Sequence, residues 1–166
     1  MIDRTRHARW LILLAALVAG CGGPRAYDVE VTLDESLAST SIAVDIIGAN
    51  ASLAETLSEV SVNEYFSPGN RLRAGVDRKT LRFVGDSEET QTLERDDPIW
   101  DTWMDKGATQ LIVVANLLGS FDDRTGSADD RRLILPLASD RWRGREIRIT
   151  VREGFLDLTS RMREGD

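Results

Sequence analysis

Histidine and cysteine are nearly missing from this 166-residue chain. It holds one of each, His7 and Cys21, and neither recurs after position 21. That scarcity removes most catalytic machinery from the body of the protein. Without a second cysteine there is no disulfide within the domain, and no His/Cys set can hold zinc. No Ser-His-Asp or Cys-His triad can be assembled. Lysine is almost as rare: Lys79 and Lys106 are the two in the chain, both in turn-like surroundings, so no serine has an activating amine placed beside it. A glycine-rich phosphate loop is also missing. Carboxylates are plentiful, which leaves a carboxylate-only hydrolase formally open, but no Asp/Glu pair stands out. An enzyme is not expected, and neither is a cofactor or a metal.

What is present starts with an N-terminal segment unlike the rest. Arg4, Arg6 and Arg9 precede the apolar run Trp10-Leu-Ile-Leu-Leu-Ala-Ala-Leu-Val-Ala-Gly20. A basic start, a short apolar stretch and small residues make a secretory signal peptide. The run falls short of the ~20 apolar residues that a spanning helix needs; a buried helix is its other reading. Val18-Ala19-Gly20-Cys21 resembles the lipobox of bacterial lipoproteins. That resemblance implies cleavage before Cys21, a diacylglycerol on its thiol and acylation of the new amine. An ordinary secretory signal ending in a chance cysteine is the alternative. In Gram-negative lipoproteins an aspartate after the cysteine commonly retains the protein at the inner membrane. Gly22 stands there instead, which implies the outer membrane, with the domain facing the periplasm. Two or three acyl chains anchor stably where one would be marginal.

The expected organisation is a signal peptide over residues 1–20, a lipidated tether over 21–26, a folded domain over 27–158 and a charged, frayed tail over 159–166. Beyond residue 20 the chain has 18 basic and 27 acidic residues, a net charge near −9. This argues against nucleic acid, whose phosphates need cationic patches. It argues equally against electrostatic adhesion to anionic lipid.

Strand patterns dominate the domain. Residues 27–33 alternate, with Tyr27, Val29, Val31 and Leu33 on one side and Asp28, Glu30 and Thr32 on the other. Residues 34–40 read as a polar loop. A second strand covers 41–48, with Gly48 as its breaker. Ser52 and Glu55 fit a capping box, and Leu53, Leu57 and Val60 share a helical face, so a helix is expected over 53–62. Ser67-Pro-Gly-Asn70 is a turn, and a weak extended stretch begins at Leu72. Strands are expected over 80–84 and 90–94. Residues 97–107 read as a short helix with Asp97 as cap, Pro98 in the first position and Gly107 at the end. Trp100 and Trp103 fall on one face of it, as a core plug or, on the other reading, a ligand platform.

Gln110-Leu-Ile-Val-Val-Ala-Asn-Leu-Leu118 is the most apolar stretch of the domain and reads as a central strand buried on both faces. Further strands are expected over 131–137, 146–152 and 155–158. Short strands at intervals, punctuated by turns, make an all-β antiparallel sandwich with one or two short helical insertions.

Three features could carry a site. Asp122, Asp123, Asp129 and Asp130 surround Gly126, but without a calcium-loop pattern and with Arg124 among them, so a solvated connector fits better. Glu88 and Glu89 lie in a loop that faces water. Arg141, Arg143 and Arg145 flank Trp142, either as an exposed interface anchor or as a turn whose indole folds back on the core.

The order of elements resembles the type VI secretion outer-membrane lipoproteins, the TssJ family. Cys21 is followed closely by the alternating strand 27–33, then by a loop and the apolar strand 41–48. A helical insertion follows, ending in Tyr65-Phe66. Lys106-Gly-Ala-Thr-Gln-Leu-Ile-Val-Val-Ala-Asn116 is similar to that family's "Gly-Ala-x-x-Leu-x-Val-Val-Ala" strand, and a closing strand pair brackets Trp142. The resemblance implies a transthyretin-like sandwich held by lipid at the outer membrane. It would grip the periplasmic part of an inner-membrane subunit of a trans-envelope secretion complex. It also implies that the loop after the first strand takes part, which by position means Asp34, Glu35, Ser36 and Leu37. The rival is a lipoprotein of similar fold that binds carbohydrate or peptidoglycan through exposed tryptophan.

Overall fold

Alternation at the start of the domain becomes the middle of a sheet. The computed structural model describes residues 22–85, 89–122 and 124–163. The expected signal peptide and Cys21 lie outside the described residues, as do Glu88 and Asp123. In β1 (Asp28–Leu33) every second side chain, Val29, Val31 and Leu33, is buried. β7 (Glu146–Val151) repeats the pattern with Ile147, Ile149 and Val151. The two strands pair side by side, with Asp28 opposite Glu146 and Leu33 opposite Val151. This pairing is parallel, while the other ladders among the described residues are antiparallel. β4 (Thr90–Leu93) flanks β1, and β8 (Leu156–Leu158) flanks β7, giving the order β4-β1-β7-β8.

The second sheet runs β3-β2-β5-β6, from β2 (Ile42–Ala49), β3 (Lys79–Phe83), β5 (Gln110–Asn116) and β6 (Arg132–Pro136). The inward faces of the two sheets form one core, in which Val29, Val31, Ile147 and Ile149 meet Val44, Ile46, Leu111 and Val113. The protein is a β-sandwich, as the strand pattern indicated.

β2 and β5 are buried on both faces because a helical excursion covers the outer one. Ile47, Ala49, Ile112 and Val114 meet Leu57, Val62 and Tyr65 in a second core. Here the structure corrects the sequence reading. The helix expected over 53–62 is two helices, α1 (Ala51–Glu59) and α2 (Val62–Tyr65), separated by the extended Val60. The cap of α1 is Asn50, whose Oδ1 accepts from the Leu53 amide at 3.0 Å, and not Ser52. Ser61 caps α2 in the same way through Glu64 N–H. The stretch expected to be extended from Leu72 is α3 (Arg71–Gly75), capped by Asn70 at 2.8 Å.

Between β4 and β5, α4 (Ile99–Asp105) matches the expected helix, and Asp97 Oδ1 accepts from the Ile99 amide. Its indoles form the core plug: Trp100 and Trp103 are buried, edge to face, with centroids 5.0 Å apart. Gly48 does not break β2. A Cβ there would lie 2.4 Å from the Trp103 ring, so the strand runs through a glycine to let the indole close on it.

Candidate functional site: two poles of loops

The strand registers sort the connections onto two ends of the sandwich. At one end β1 begins at Asp28, β2 ends and β7 begins. The chain entering from Gly22, the β6–β7 turn, α4 and the C-terminal tail all gather there. At the other end lie the β1–β2, β3–β4, β5–β6 and β7–β8 loops. Residues 34–37 therefore sit at the far end of β1 from the Cys21 side.

Within that far pole, Asp34 opens a turn of 3-10 helix, Glu35–Leu37. Its Oδ1 accepts from the Ser36 amide at 3.2 Å and from the Ser36 hydroxyl at 2.9 Å. Arg152 donates to Asp34 Oδ2 at 2.9 Å and to Asp157 at 3.1 Å, clamping the β1–β2 loop to the β7–β8 turn. Hydrogen bonds from Ser36, with Arg152 adding its charge, hold the Asp34 carboxyl below the usual carboxylate range. The four expected contact residues thus divide. Glu35 and Ser36 are exposed, Asp34 is committed to Arg152, and Leu37 is turned into the main core at 8% exposure. Residues 34–40, expected as a plain polar loop, are anchored by that leucine.

The pole has apolar tips that the sequence reading passed over. Val84 is 62% exposed, Leu118 69% and Phe155 42%, on three different loops. Leu118 was expected inside the buried strand 110–118, but β5 ends at Asn116 and leaves it exposed on the loop that follows. Leu156 N–H donates to Asp130 O at 2.8 Å, joining the β5–β6 connector to the β7–β8 turn. A recess of about 220 Å³ lies between them, lined by Ser120, Phe121, Asp122, Arg124, Asp129 and Gly154.

Asp129 of this connector works structurally. Asp129 is buried and forks with Arg131, Oδ1 to Nε at 2.9 Å and Oδ2 to Nη2 at 2.7 Å. Burial pushes the Asp129 carboxyl up, but the Arg131 hydrogen bonds and charge outweigh it and leave the pKa lowered. Arg131 also donates to Asn63 Oδ1 at 2.8 Å and stacks 4.2 Å from the Phe121 ring, so it binds the connector to α2. Arg132 donates to the Val60 carbonyl at 2.7 Å. Among the described residues no three His, Cys, Asp or Glu side chains converge where a metal could sit.

A second polar cluster was missed altogether. Asp45 of β2 is fully buried and points toward the excursion. Its carboxylate accepts from Tyr65 Oη at 3.0 Å, Arg73 Nε at 2.8 Å and Thr80 Oγ1 at 2.7 Å, and Arg78 lies 3.2 Å away. Burial, reinforced by Asp45, drives the Tyr65 phenol well above its ordinary pKa. Tyr65, Arg73 and Thr80 hydrogen-bond the carboxylate and Arg78 adds its charge, though Arg78 Nε has no hydrogen-bond partner, so the cluster braces the excursion against β2.

The tryptophans correct two further expectations. Trp142 is 1% exposed, folds back edge to face on Tyr27 at 5.9 Å and donates Nε1 to the Pro136 carbonyl at 2.7 Å. It is no exposed interface anchor. With Trp100 and Trp103 also buried, no described tryptophan offers a sugar a flat face.

No protein-family model matches the chain, and no curated protein matches it by sequence. Solved structures match by fold. One is the type VI secretion (T6SS) protein TssM C-terminal domain from EAEC, with 15% identity and a TM-score of 0.54 over 80% of this chain and 98% of that one. Another is Serratia marcescens Lip, a membrane-bound component of the type VI secretion system, with 10% identity and a TM-score of 0.50 over 82% and 98%. The chain has the fold of type VI secretion components. The lipoprotein TssJ1 from Pseudomonas aeruginosa matches at 11% identity and a TM-score of 0.49 over 86% and 99%. The resemblance drawn from strand order holds for the architecture, which Serratia marcescens Lip and the TssM domain share.

Proposed function

We propose that this chain is an envelope component of a type VI secretion system. In this reading it is an outer-membrane lipoprotein anchored through Cys21, and its far loop pole grips the periplasmic part of an inner-membrane subunit. It acts by contact and not by catalysis. One observation carries the reading. Exposed apolar side chains, Leu118, Phe155 and Val84, sit on three loops at the end of the sandwich opposite the one where the chain enters at Gly22. Large apolar side chains exposed at loop tips among polar neighbours suit a protein contact surface. Glu35 and Ser36 form part of that rim.

The test is affinity isolation of the protein from native membranes. The expected result is co-purification of an inner-membrane secretion subunit, lost when Leu118→Asp and Phe155→Asp are combined. Both side chains are exposed, so the unfolding midpoint of the variant should stay close to that of the parent. Retention of the subunit by this variant, or recovery of peptidoglycan in its place, would overturn the assignment. Intact mass of the purified protein checks the acyl chains on Cys21 independently.

A further inference from the structure

Net negative charge conceals a local reversal at the Cys21 end. The β6–β7 turn carries Arg141, Arg143 and Arg145, all exposed. Main-chain contacts draw two other segments onto that turn. Pro24 bridges Ala138, Ser139 N–H donates to the Gly23 carbonyl at 3.1 Å, and Asp28 N–H donates to the Arg145 carbonyl at 2.9 Å. From the other side Met162 bridges Trp142, and Arg163 N–H donates to the Arg141 carbonyl at 2.8 Å. The expected tether and the expected frayed tail are therefore both fastened to the turn, and they bring Arg25, Arg161 and Arg163 beside its three arginines.

Arg148 is compensated by Glu146 at 2.6 Å and Glu30 at 3.5 Å. Arg141, Arg143, Arg145 and Arg161 form no ion pair with a described residue. A recess of about 320 Å³ opens among them, lined by Arg143, Arg148, Thr159, Ser160 and Arg161 together with Glu146, whose charge Arg148 offsets. The other half of this pole is acidic, with Asp96, Asp101 and Asp105 exposed around α4. The two halves have opposite sign.

Distance supplies the occupant. Gly22 is seated against the turn so closely that a Cβ would lie 2.4 Å from Ser139 Oγ and 2.7 Å from the Asp140 nitrogen. A single ~3.8 Å step separates its Cα from that of Cys21. Gly22, the neighbour of the residue expected to carry the acyl chains, is thus seated at the arginine turn. A bilayer gripping Cys21 lies within about one Debye length, ~8 Å at physiological salt, of these arginines. The acidic far pole is removed by the length of β1, roughly 20 Å for six residues, and is screened.

We infer that the arginine half of this pole docks on anionic phospholipid headgroups of the membrane that holds Cys21. The headgroup phosphate enters the recess beside Arg143 and Arg161. The acidic half around α4 is pushed off the surface, so the domain leans onto its β6–β7–β8 edge. The inference departs from the expectation, drawn from net charge, that the protein would not adhere to anionic lipid. The inference rests on the Cys21 anchor for its geometry, but headgroup binding by the arginines can be measured without it.

The experiment uses the mature chain, residues 21–166, in its acylated form and as an unacylated Cys21→Ser form. Both are mixed with vesicles of phosphatidylcholine alone or with added phosphatidylglycerol. Co-sedimentation of the unacylated form should require phosphatidylglycerol and vanish in high salt. Each arginine near an anionic surface is worth roughly fivefold in partitioning. Combining Arg141→Gln, Arg143→Gln and Arg145→Gln should therefore lower it roughly 100-fold, and Arg161→Gln should lower it alone. Arg124→Gln at the opposite pole should leave it unchanged. Hydrogen exchange of the acylated form should slow over residues 139–148 only when phosphatidylglycerol is present. Equal binding to both vesicles, or binding indifferent to the triple substitution in a variant with native unfolding behaviour, overturns the inference. A native Cys21 shown unacylated by intact mass overturns the anchor instead, and the vesicle result still decides the arginines.

Discussion

Asp45 illustrates how one side chain can set the worth of several others. Its carboxylate is wholly buried, and Arg73, Arg78, Tyr65 and Thr80 all turn toward it. Truncation would take the carboxylate from two guanidinium groups and a phenol at once. Asp45→Ala should cost about 3–5 kcal/mol, the penalty for breaking a buried ion pair by removing one side. Urea unfolding followed by tryptophan fluorescence measures it directly. The sequence did carry a hint. Asp45 is the lone charge in Ile42-Ala-Val-Asp-Ile-Ile-Gly48, and a charge inside a strand covered on both faces must be paired. Its partners lie 20 to 35 residues away, so the network could not be assembled from spacing.

Elements were legible wherever their cause was local. The alternation of β1 and β7, the unbroken apolar run of β5 and the Asp97-Pro98 start of α4 each specify structure within a few residues. The helical excursion was less readable because it has three starts, and the best match to a capping box was the wrong one. Asn50, Ser61 and Asn70 each accept from the amide three residues on, one for each short helix. Short helices depend on such caps, since few internal hydrogen bonds offset their nucleation. Asn50→Ala should lower stability by about 1 kcal/mol, read as a lower urea midpoint. Ser52→Ala should change it little, because the Ser52 hydroxyl caps nothing. The candidate contact surface was the least legible part. Leu118 and Phe155 meet at one pole only through strand register, which no single segment encodes.

For the whole molecule, pH dependence follows from three aspartates. A hydrogen bond from Lys79 lowers the Asp97 pKa, and the Ile99 amide adds to it. The Asp34 and Asp129 pKa values are lowered as well, by Ser36 and by Arg131. Each binds its proton less readily folded than unfolded, where a carboxyl titrates at about 3.9. Their stabilisation is complete above that range and is lost as pH falls through the folded values. The thermal midpoint should be flat between about pH 5 and 8 and fall below about pH 4. A midpoint that rose on acidification would contradict these assignments. Charge also divides the molecule, with acidic loops at one pole and an arginine half-collar at the other, a division invisible in the net value.

The parallel seam between β1 and β7 has a mechanical reading. β1 is an inner strand, hydrogen-bonded along both edges to β4 and β7. Tension applied at Gly22 while the opposite loops are held would run along that strand, across its ladder rungs. The rungs would then share the load in shear and would not peel apart singly like a zipper. The chain thus enters its sheet at an inner strand, where a tug is met by ladders on both sides.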